Sequence, residues 1–467
     1  MTTPETPLTL FDNTAEDTPV LHFIGIGGIG MSGLAEVLHK AGFAVQGSDT
    51  STNENVQRLR QLGITVFEDH HADNIAAAGI IVISSAIQPD NVERLAAADA
   101  QLTELHRADV LAALMENYYT ISVTGTHGKT STTALIWSAL KAAEIDVGVI
   151  NGGIIHSLGT NAVLPTSKEG VLVVEADESD KSFLKLPTDI GIVTNIEPEH
   201  METYGSEKTL LAAFEQFISN VRQTAIICGE DLVLTNLADR TGVDYICYGW
   251  EDFNDVYAST PVPQGFGMAF DATIRGGTLE DVVVSLPGRH YVLNALAALA
   301  TTTALKLNPA EAADGLLNFS GVGRRFSRIG KFRETDVIDD YAHHPTEITT
   351  TLEATKQIYS QGRVVSVIEP HRYSRLEALI YDFAKSVKVT DFAVILPVYA
   401  AGEDAKPNVD HKTLATKMAV HDVHAVALDD AAQLPETLKL FDLKPTDAIL
   451  FMGAGHSTKW AKALVTE

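Results

Sequence analysis

The stretch "HFIGIGGIGMSGLAEVL", residues 22–38, decides the first layer of the fold. A short apolar run gives way to Gly25, Gly27 and Gly30 in G-x-G-x-x-G spacing, and an Ala- and Leu-rich helical pattern follows. Strand, glycine turn and helix in that order open a Rossmann-like α/β domain. The glycines permit a tight turn and the close approach of a diphosphate, whose charge the helix N-terminus favours. Asp49, in "GSD", lies nineteen residues beyond Gly30 and completes the formal dinucleotide fingerprint. Any nucleotide diphosphate satisfies this physics, NAD being only one; the bland alternative is a glycine turn that merely packs helix on strand.

A second loop follows in "ISVTGTHGKTSTTAL", residues 121–135. It lacks one full Walker spacing, because Val123 stands where the first glycine would be. Its working parts remain: Gly125, Thr126 and Gly128 to present backbone N–H groups, Lys129 for the outer phosphates, and the Thr130 hydroxyl, followed by Ser131, for Mg²⁺. This is an ATP site by pattern. Two phosphate loops in one chain weaken a dehydrogenase reading, since hydride transfer needs no ATP. They point to ATP-driven chemistry on a nucleotide-linked substrate. A nucleotide-sensing module without catalysis would keep the loop but has no need of the acids, histidines and arginines described next.

Apolar runs of strand length alternate with helical stretches along the chain, the pattern of α/β units around mostly parallel sheets. Expected strands include 21–24, 44–46, 80–84, 121–124, 171–174, 190–194, 225–228, 337–339, 364–368, 392–396 and 448–452. Ligands collect at the carboxyl ends of such strands. There stand Glu175 in "VLVVEADESD" and His200 in "IGIVTNIEPEH". If their strands neighbour the Lys129 strand, the three form a Mg²⁺–ATP constellation, with Glu175 the better oxygen ligand and His200 suited to a second ion. Asn294 sits on an otherwise apolar helix, where a buried amide must find partners. Arg324, Arg325 and Arg328 lie at an apparent joint, where an arginine can stabilise a transferring phosphoryl group or simply pair across the joint. "VIDDYAHHPTEI" ends a strand in Asp339, Asp340, His343 and His344. "SVIEPHRYSRL" ends another in His371, Arg372 and Arg375, a cluster fit for a carboxylate. The glycines of "FMGAGHSTKW", Gly453 and Gly455, are expected to form a structural turn.

Composition narrows the class. The chain of 467 residues has room for two to four domains, and three are expected: 1–118, 119–325 and 326–467. Residues 250–284 change to short alternating stretches rich in Gly and Pro, expected as antiparallel hairpins on the α/β core. A formal charge of −27 argues against nucleic acid or an anionic membrane as the main partner. Two cysteines, Cys228 and Cys247, suit neither a disulfide framework nor zinc, and point to a reducing cytoplasm. The first twenty residues contain no Lys or Arg and are expected to be a loose leader, not a signal peptide. No apolar run reaches membrane-spanning length.

Taken together, "HFIGIGGIGMSGLAEVL", "TGTHGKTSTT", "EADESDKSFL", "VTNIEPEHMETY", "GRHYVLNALAA", "GVGRRF", "DDYAHHPTE" and "PHRYSR" resemble the Mur ligase family over nearly the whole chain. The resemblance implies a Rossmann-like domain for a uridine-diphosphate substrate, a central P-loop ATPase domain, and a Rossmann-like domain that receives an amino acid. It implies an ATP-dependent amide ligase of peptidoglycan synthesis, and hence of cell-wall growth and division, acting as a cytoplasmic monomer or homodimer. The implied reaction joins L-alanine to the lactyl carboxylate of UDP-N-acetylmuramate through an acyl phosphate; the alternative attaches a recycled tripeptide. By the same resemblance, Gly27, Gly28, Ile29, Gly30, Asp49, Ser84, His127 and His344 serve substrate, and Arg372 and Arg375 hold the alanine carboxylate. Lys129 contacts the γ-phosphate, Thr130 with Glu175 one Mg²⁺, and His200 a second. Asn294, Arg325 and Asp340 fall around ATP, with His343 beside them. The carbamylated lysine of some relatives has no match here.

Overall fold

In a computed structural model the described residues are 19–466, so all but the end of the expected leader lies outside them. They pack as two units, one of residues up to 258 with 272–279 and 293–316, the other of 259–271, 280–292 and 317 onward.

The first unit holds two sheets. Strands β1 (Leu21–Ile24), β2 (Val45–Ser48), β3 (Thr65–Phe67), β4 (Ile80–Ile83) and β5 (Thr103–His106) form a parallel sheet in the order β3-β2-β1-β4-β5. The order reverses beside β1, which places the first glycine turn at a switch point, where open α/β sheets leave a crevice. Buried β1 and β4 residues such as Ile24 and Ile81 pack with Ile75 and Ala97. One buried acid interrupts this apolar core. Glu93 accepts from Ser48 Oγ at 2.6 Å and Asn74 Nδ2 at 2.6 Å, with His22 Nε2 at 3.4 Å. Burial pushes its carboxyl up, but these partners outweigh burial and hold it near pKa 2.

The second sheet is built from β6 (Tyr119–Thr124), β7 (Val147–Ile155), β8 (Thr160–Val163), β9 (Val171–Glu175), β10 (Ile190–Val193), β11 (Thr224–Cys228), β12 (Tyr245–Gly249) and β13 (Val256–Ala258). It runs β8-β7-β9-β6-β10-β11-β12-β13, parallel except for β8 on β7. Thus β9 and β10 flank the P-loop strand β6. The expected hairpins follow: β14 (Val262–Gln264), β15 (Gly267–Ile274) and β16 (Gly277–Val284), with β15 antiparallel to β13 over 272–274 and to β14 over 267–269.

Side chains bind the two sheets of this unit. Glu36, buried on the helix Ile29–Lys40, accepts from Lys40 Nζ at 2.6 Å, Arg58 Nε at 3.0 Å and Thr160 Oγ1 at 2.8 Å. Asn161, fully buried on β8, donates to Ile29 O at 2.9 Å and Asn151 O at 2.9 Å.

The second unit is ordered around β17 (Ser327–Phe332), β18 (Thr335–Asp340), β19 (Val364–Ile368), β20 (Phe392–Ile395), β21 (Ala425–Ala427) and β22 (Ala448–Met452), in the order β17-β18-β22-β19-β20-β21. Only β17 is antiparallel. Val337, Val365, Val367, Ile449 and Phe451 form its core, which is why these strands read as unbroken apolar runs. Among the described residues no helix is long and apolar enough to cross a membrane.

Candidate active site

The P-loop turn needs its glycines for stated reasons. Gly125 has φ +126° and a Cβ there would collide with Thr194 Oγ1; Gly128, the N-cap of the helix Lys129–Ala142, has φ +85°. A Cβ at Gly128 would stand 3.2 Å from Asn294 Oδ1, so buried Asn294 lies against the loop. The segment after β10 braces the turn. Thr126 N donates to Asn195 O at 3.0 Å, His127 N to Asn195 Oδ1 at 2.9 Å, and Thr194 Oγ1 to His127 O at 2.6 Å. The His127 ring reaches Glu197 at 3.4 Å. Thr126 and Ser131 are buried, one in the turn and one in the first helical turn.

Lys129 folds back over the loop, donating from Nζ to Gly125 O at 2.7 Å, Thr126 O at 3.0 Å and Glu178 Oε1 at 3.0 Å. Burial opposes its charge, but Glu178, Asp177 and Glu175 outweigh burial and raise its pKa, so it stays an ammonium. On β9, Glu175 accepts from Thr130 Oγ1 at 3.0 Å and from Gly152 N at 2.6 Å. His200, at φ +56°, places Nε2 3.5 Å from Glu178 Oε1. Burial lowers its pKa; Glu178 and Glu199 more than restore it, leaving it raised.

The central sheet therefore brings Lys129, Thr130, Glu175, His200 and Asn294 to one edge. It also brings Glu178, which the sequence reading passed over. Glu178 is buried, joins Lys129 to His200, and has its backbone carbonyl held by Tyr204 OH at 2.6 Å. Its signal was present as the third acid of "EADESD", three residues past the strand end.

The first glycine turn is organised by an acid. Gly25 has φ +75°, and Gly27 N donates to Asp49 Oδ2 at 2.8 Å, while Asp49 Oδ1 accepts from Ser51 N at 2.9 Å. Asp49 thus shapes the loop directly. A Cβ on Gly27 would stand 2.8 Å from that carboxylate and 2.7 Å from Val56. Gly28 is the N-cap and Ile29 and Gly30 open the helix Ile29–Lys40; Ser84 follows β4, half-buried, at the same sheet edge.

The second unit gathers a cationic, histidine-lined cluster. Arg324 and Arg325 place their guanidinium carbons 4.6 and 5.2 Å from the Tyr341 ring centre, and Arg324 Nη2 donates to Gly453 O at 2.7 Å. Arg328 departs from them: it pairs with Asp336 at 3.0 Å and lies over Phe266. Asp340 accepts from Phe326 N at 2.8 Å and Ala342 N at 2.7 Å, and burial raises its pKa to about 6. Asp339 accepts from Thr458 Oγ1 at 2.7 Å. His344 is the N-cap of the helix Pro345–Ile358, in a capping box with Glu347. His343 and His371 lie 5.5 Å apart, and His371 stacks on Tyr399 at 5.4 Å. Burial first, then the neighbouring Arg375, pulls their pKa values to about 3 and about 4, so both rings are neutral near pH 7. Arg372, at φ +68°, is the N-cap of the helix Tyr373–Ser386, with Arg375 in its first turn.

Three α/β sheets, a P-loop strand flanked by an acid and a histidine, and an arginine cluster in the second unit define an ATP-loop ligase architecture. Residues 20–119 match the catalytic domain of the Mur ligase family, 123–302 the Mur ligase middle domain, and 324–455 the Mur ligase glutamate ligase domain. The chain belongs to the Mur ligase family. It is similar to the UDP-N-acetylmuramate–L-alanine ligase of Rhizobium etli, 42% identical over 454 residues that cover 95% of this chain and 96% of that one. Among solved structures it is similar to the UDP-N-acetylmuramate–alanine ligase of Thermotoga maritima, with TM-score 0.82 and 28% identity, covering 96% of this chain and 98% of that one. A murein peptide ligase from Psychrobacter arcticus shares the fold at TM-score 0.71 and 23% identity, covering 96% of this chain and 98% of that one.

Proposed function

We propose that this chain joins L-alanine to the lactyl carboxylate of UDP-N-acetylmuramate, with ATP converted to ADP and phosphate, as a cytoplasmic step of peptidoglycan precursor synthesis. The observation that carries this is the meeting of Lys129, Thr130 and Glu175 at the ends of β6 and β9, in a chain similar over nearly its whole length to an enzyme named for that reaction.

A carboxylate is a poor acyl donor at neutral pH and must be activated. Its attack on the γ-phosphate of ATP gives an acyl phosphate, and the alanine amine then attacks that carbonyl and expels phosphate. Lys129, held as an ammonium, offsets charge on the outer phosphates, while Gly125, Thr126, Gly128, Thr130, Ser131 and Asn294 hold the nucleotide around it. The Thr130 hydroxyl and Glu175 carboxylate, 3.0 Å apart, are hard oxygen donors and fit Mg²⁺; His200 would serve a second ion on giving up its proton. A cation bound there supplies neutralisation of phosphoryl charge. Arg325 and Asp340 are assigned to the nucleotide side, with His343 neutral beside them. Arg372 and Arg375 hold the alanine carboxylate. Gly27 to Gly30, Asp49, Ser84, His127 and His344 are assigned to the UDP-sugar.

The test is ADP release with UDP-N-acetylmuramate present and L-alanine, glycine, L-serine or the tripeptide supplied in turn. L-Alanine is expected to give the highest kcat/KM. A tripeptide rate equal to or above the alanine rate would overturn the assignment in favour of a recycling ligase.

A further inference from the structure

The helix Arg107–Met115 starts at the end of β5, at the same edge of the N-terminal sheet as the first glycine turn. Its first side chain reaches two places at once. A Cβ on Gly30 would stand 3.2 Å from Arg107 Nη1, so this glycine leaves room for the guanidinium against the first turn of the helix Ile29–Lys40. Arg107 Nη2 donates to Asp177 Oδ2 at 3.3 Å. Asp177 lies between Glu175, which holds Thr130, and Glu178, which holds Lys129.

We propose that Arg107 is a diphosphate-binding residue of the first glycine turn and that Asp177 holds it in reserve, so that filling the UDP-sugar site is communicated to the ATP loop through the Asp177–Glu178 segment. This rests on the assignment of the UDP-sugar to that turn. A diphosphate brings about two negative charges, and amide groups of the turn neutralise none of it outright; Gly27 N is moreover already engaged by Asp49. A guanidinium is the side chain that meets phosphate oxygens bidentately. Its present partner is a weak competitor: the contact is single and long, and Asp177 is 39% exposed.

The segment that would respond is tied at defined points. Asp180 accepts from Ser85 Oγ at 2.5 Å and from Ser182 N at 2.9 Å, and Asp109 accepts from Lys185 Nζ at 2.7 Å. Phe183 is buried with ring centroids 5.4 Å from both Phe214 and Phe217. Anchored at Phe183, the stretch carries Glu178 on its other side to Lys129 and His200. Release of Asp177 therefore alters the carboxylate field around Lys129. By linkage, nucleotide binding alters UDP-sugar affinity by the same factor.

The experiment is calorimetric titration of the full chain with UDP-N-acetylmuramate, with and without Mg²⁺ and a non-hydrolysable ATP analogue. Wild type is compared with Arg107→Gln, Arg107→Lys, Asp177→Asn and the Arg107→Gln/Asp177→Asn double variant. Arg107→Gln is expected to weaken UDP-sugar binding at least about tenfold, and Arg107→Lys less. Asp177→Asn is expected to tighten it about threefold or more without nucleotide, a gain that misfolding cannot imitate, and the double variant to lose that gain. The analogue-dependent change in affinity should vanish in Arg107→Gln. Unchanged binding in Arg107→Gln, or no tightening in Asp177→Asn, overturns the link while leaving the UDP-sugar assignment intact. Absence of UDP-sugar binding in wild type overturns the assignment itself and the link with it.

Discussion

Two glycine turns of this chain begin alike, "GTHGKT" after β6 and "GAGHST" after β22, and end in opposite uses of a neighbouring acid. Beyond β22 the acid comes from the end of adjacent β19: Glu369 Oε2 accepts from His456 N at 2.7 Å and Ser457 N at 3.2 Å, at the start of the helix Ser457–Val465. The place a phosphate would take at that helix end is filled by the protein's own carboxylate. Gly455 is required there because a Cβ would stand 2.6 Å from the Tyr399 ring and 2.8 Å from Glu369 Oε2. Beyond β6 the adjacent acid, Glu175 on β9, turns instead to Thr130 Oγ1 and Gly152 N. A strand–glycine–helix pattern therefore reports backbone geometry, and at these two turns it is the bonds made by the acid on the next strand that differ.

The largest effect expected from this contrast is at Lys129. Lys129→Ala should lower kcat by about a thousandfold or more, by removing a cation from the transferring phosphoryl group. UDP-N-acetylmuramate affinity, read by calorimetry, should stay within about threefold. Loss of that binding in a folded variant would break the division into two sites. Next comes Glu369→Ala, which strips the acceptor from two backbone N–H groups and should cost about 4 kcal/mol in denaturant unfolding, with nucleotide affinity unchanged. If stability were untouched, the second turn would not depend on its internal anion. The smallest effect sharpens the comparison with a third internal acid, Glu93, whose folded pKa lies below its unfolded one. Its contribution is present above about pH 4.5 and is lost as pH falls toward 2, about 3 kcal/mol in all. Glu93→Gln should flatten acid unfolding in that window; an unchanged pH profile would show that His22, Ser48 and Asn74 do not favour its charged form.

Much of the fold was legible because buried parallel strands write themselves as short apolar runs. Leu21–Ile24, Val364–Ile368 and Ala448–Met452 fall on the expected bounds. Thr65–Phe67 and Thr103–His106 were passed over because edge strands carry exposed polar residues, and Val147–Ile155 because Gly148, Asn151 and two more glycines break its pattern. Antiparallel hairpins within 250–284 were expected and are present. At the site, types and order of residues were readable, but their partners were not. Glu178 meets a lysine 49 positions earlier, and Glu369 caps a helix 87 positions later. Asp49 lay within the fingerprint, yet its bond to Gly27 N depends on the curvature of the turn. Local pattern encodes the strand ends; tertiary packing chooses which acids meet which cations there.

The buried Asn161 amide has a consequence for substrate choice. One of its bonds ends at Ile29 O, on the first glycine turn, and the other at Asn151 O, next to the Gly152 N–H that holds Glu175. On the proposed function these two bonds span from the diphosphate seat to the acid beside the γ-phosphate. The chain then carries a fixed gauge: a sugar nucleotide whose carboxylate stands one bond too near or too far from its diphosphate would be seated and yet never reach the phosphate it must attack.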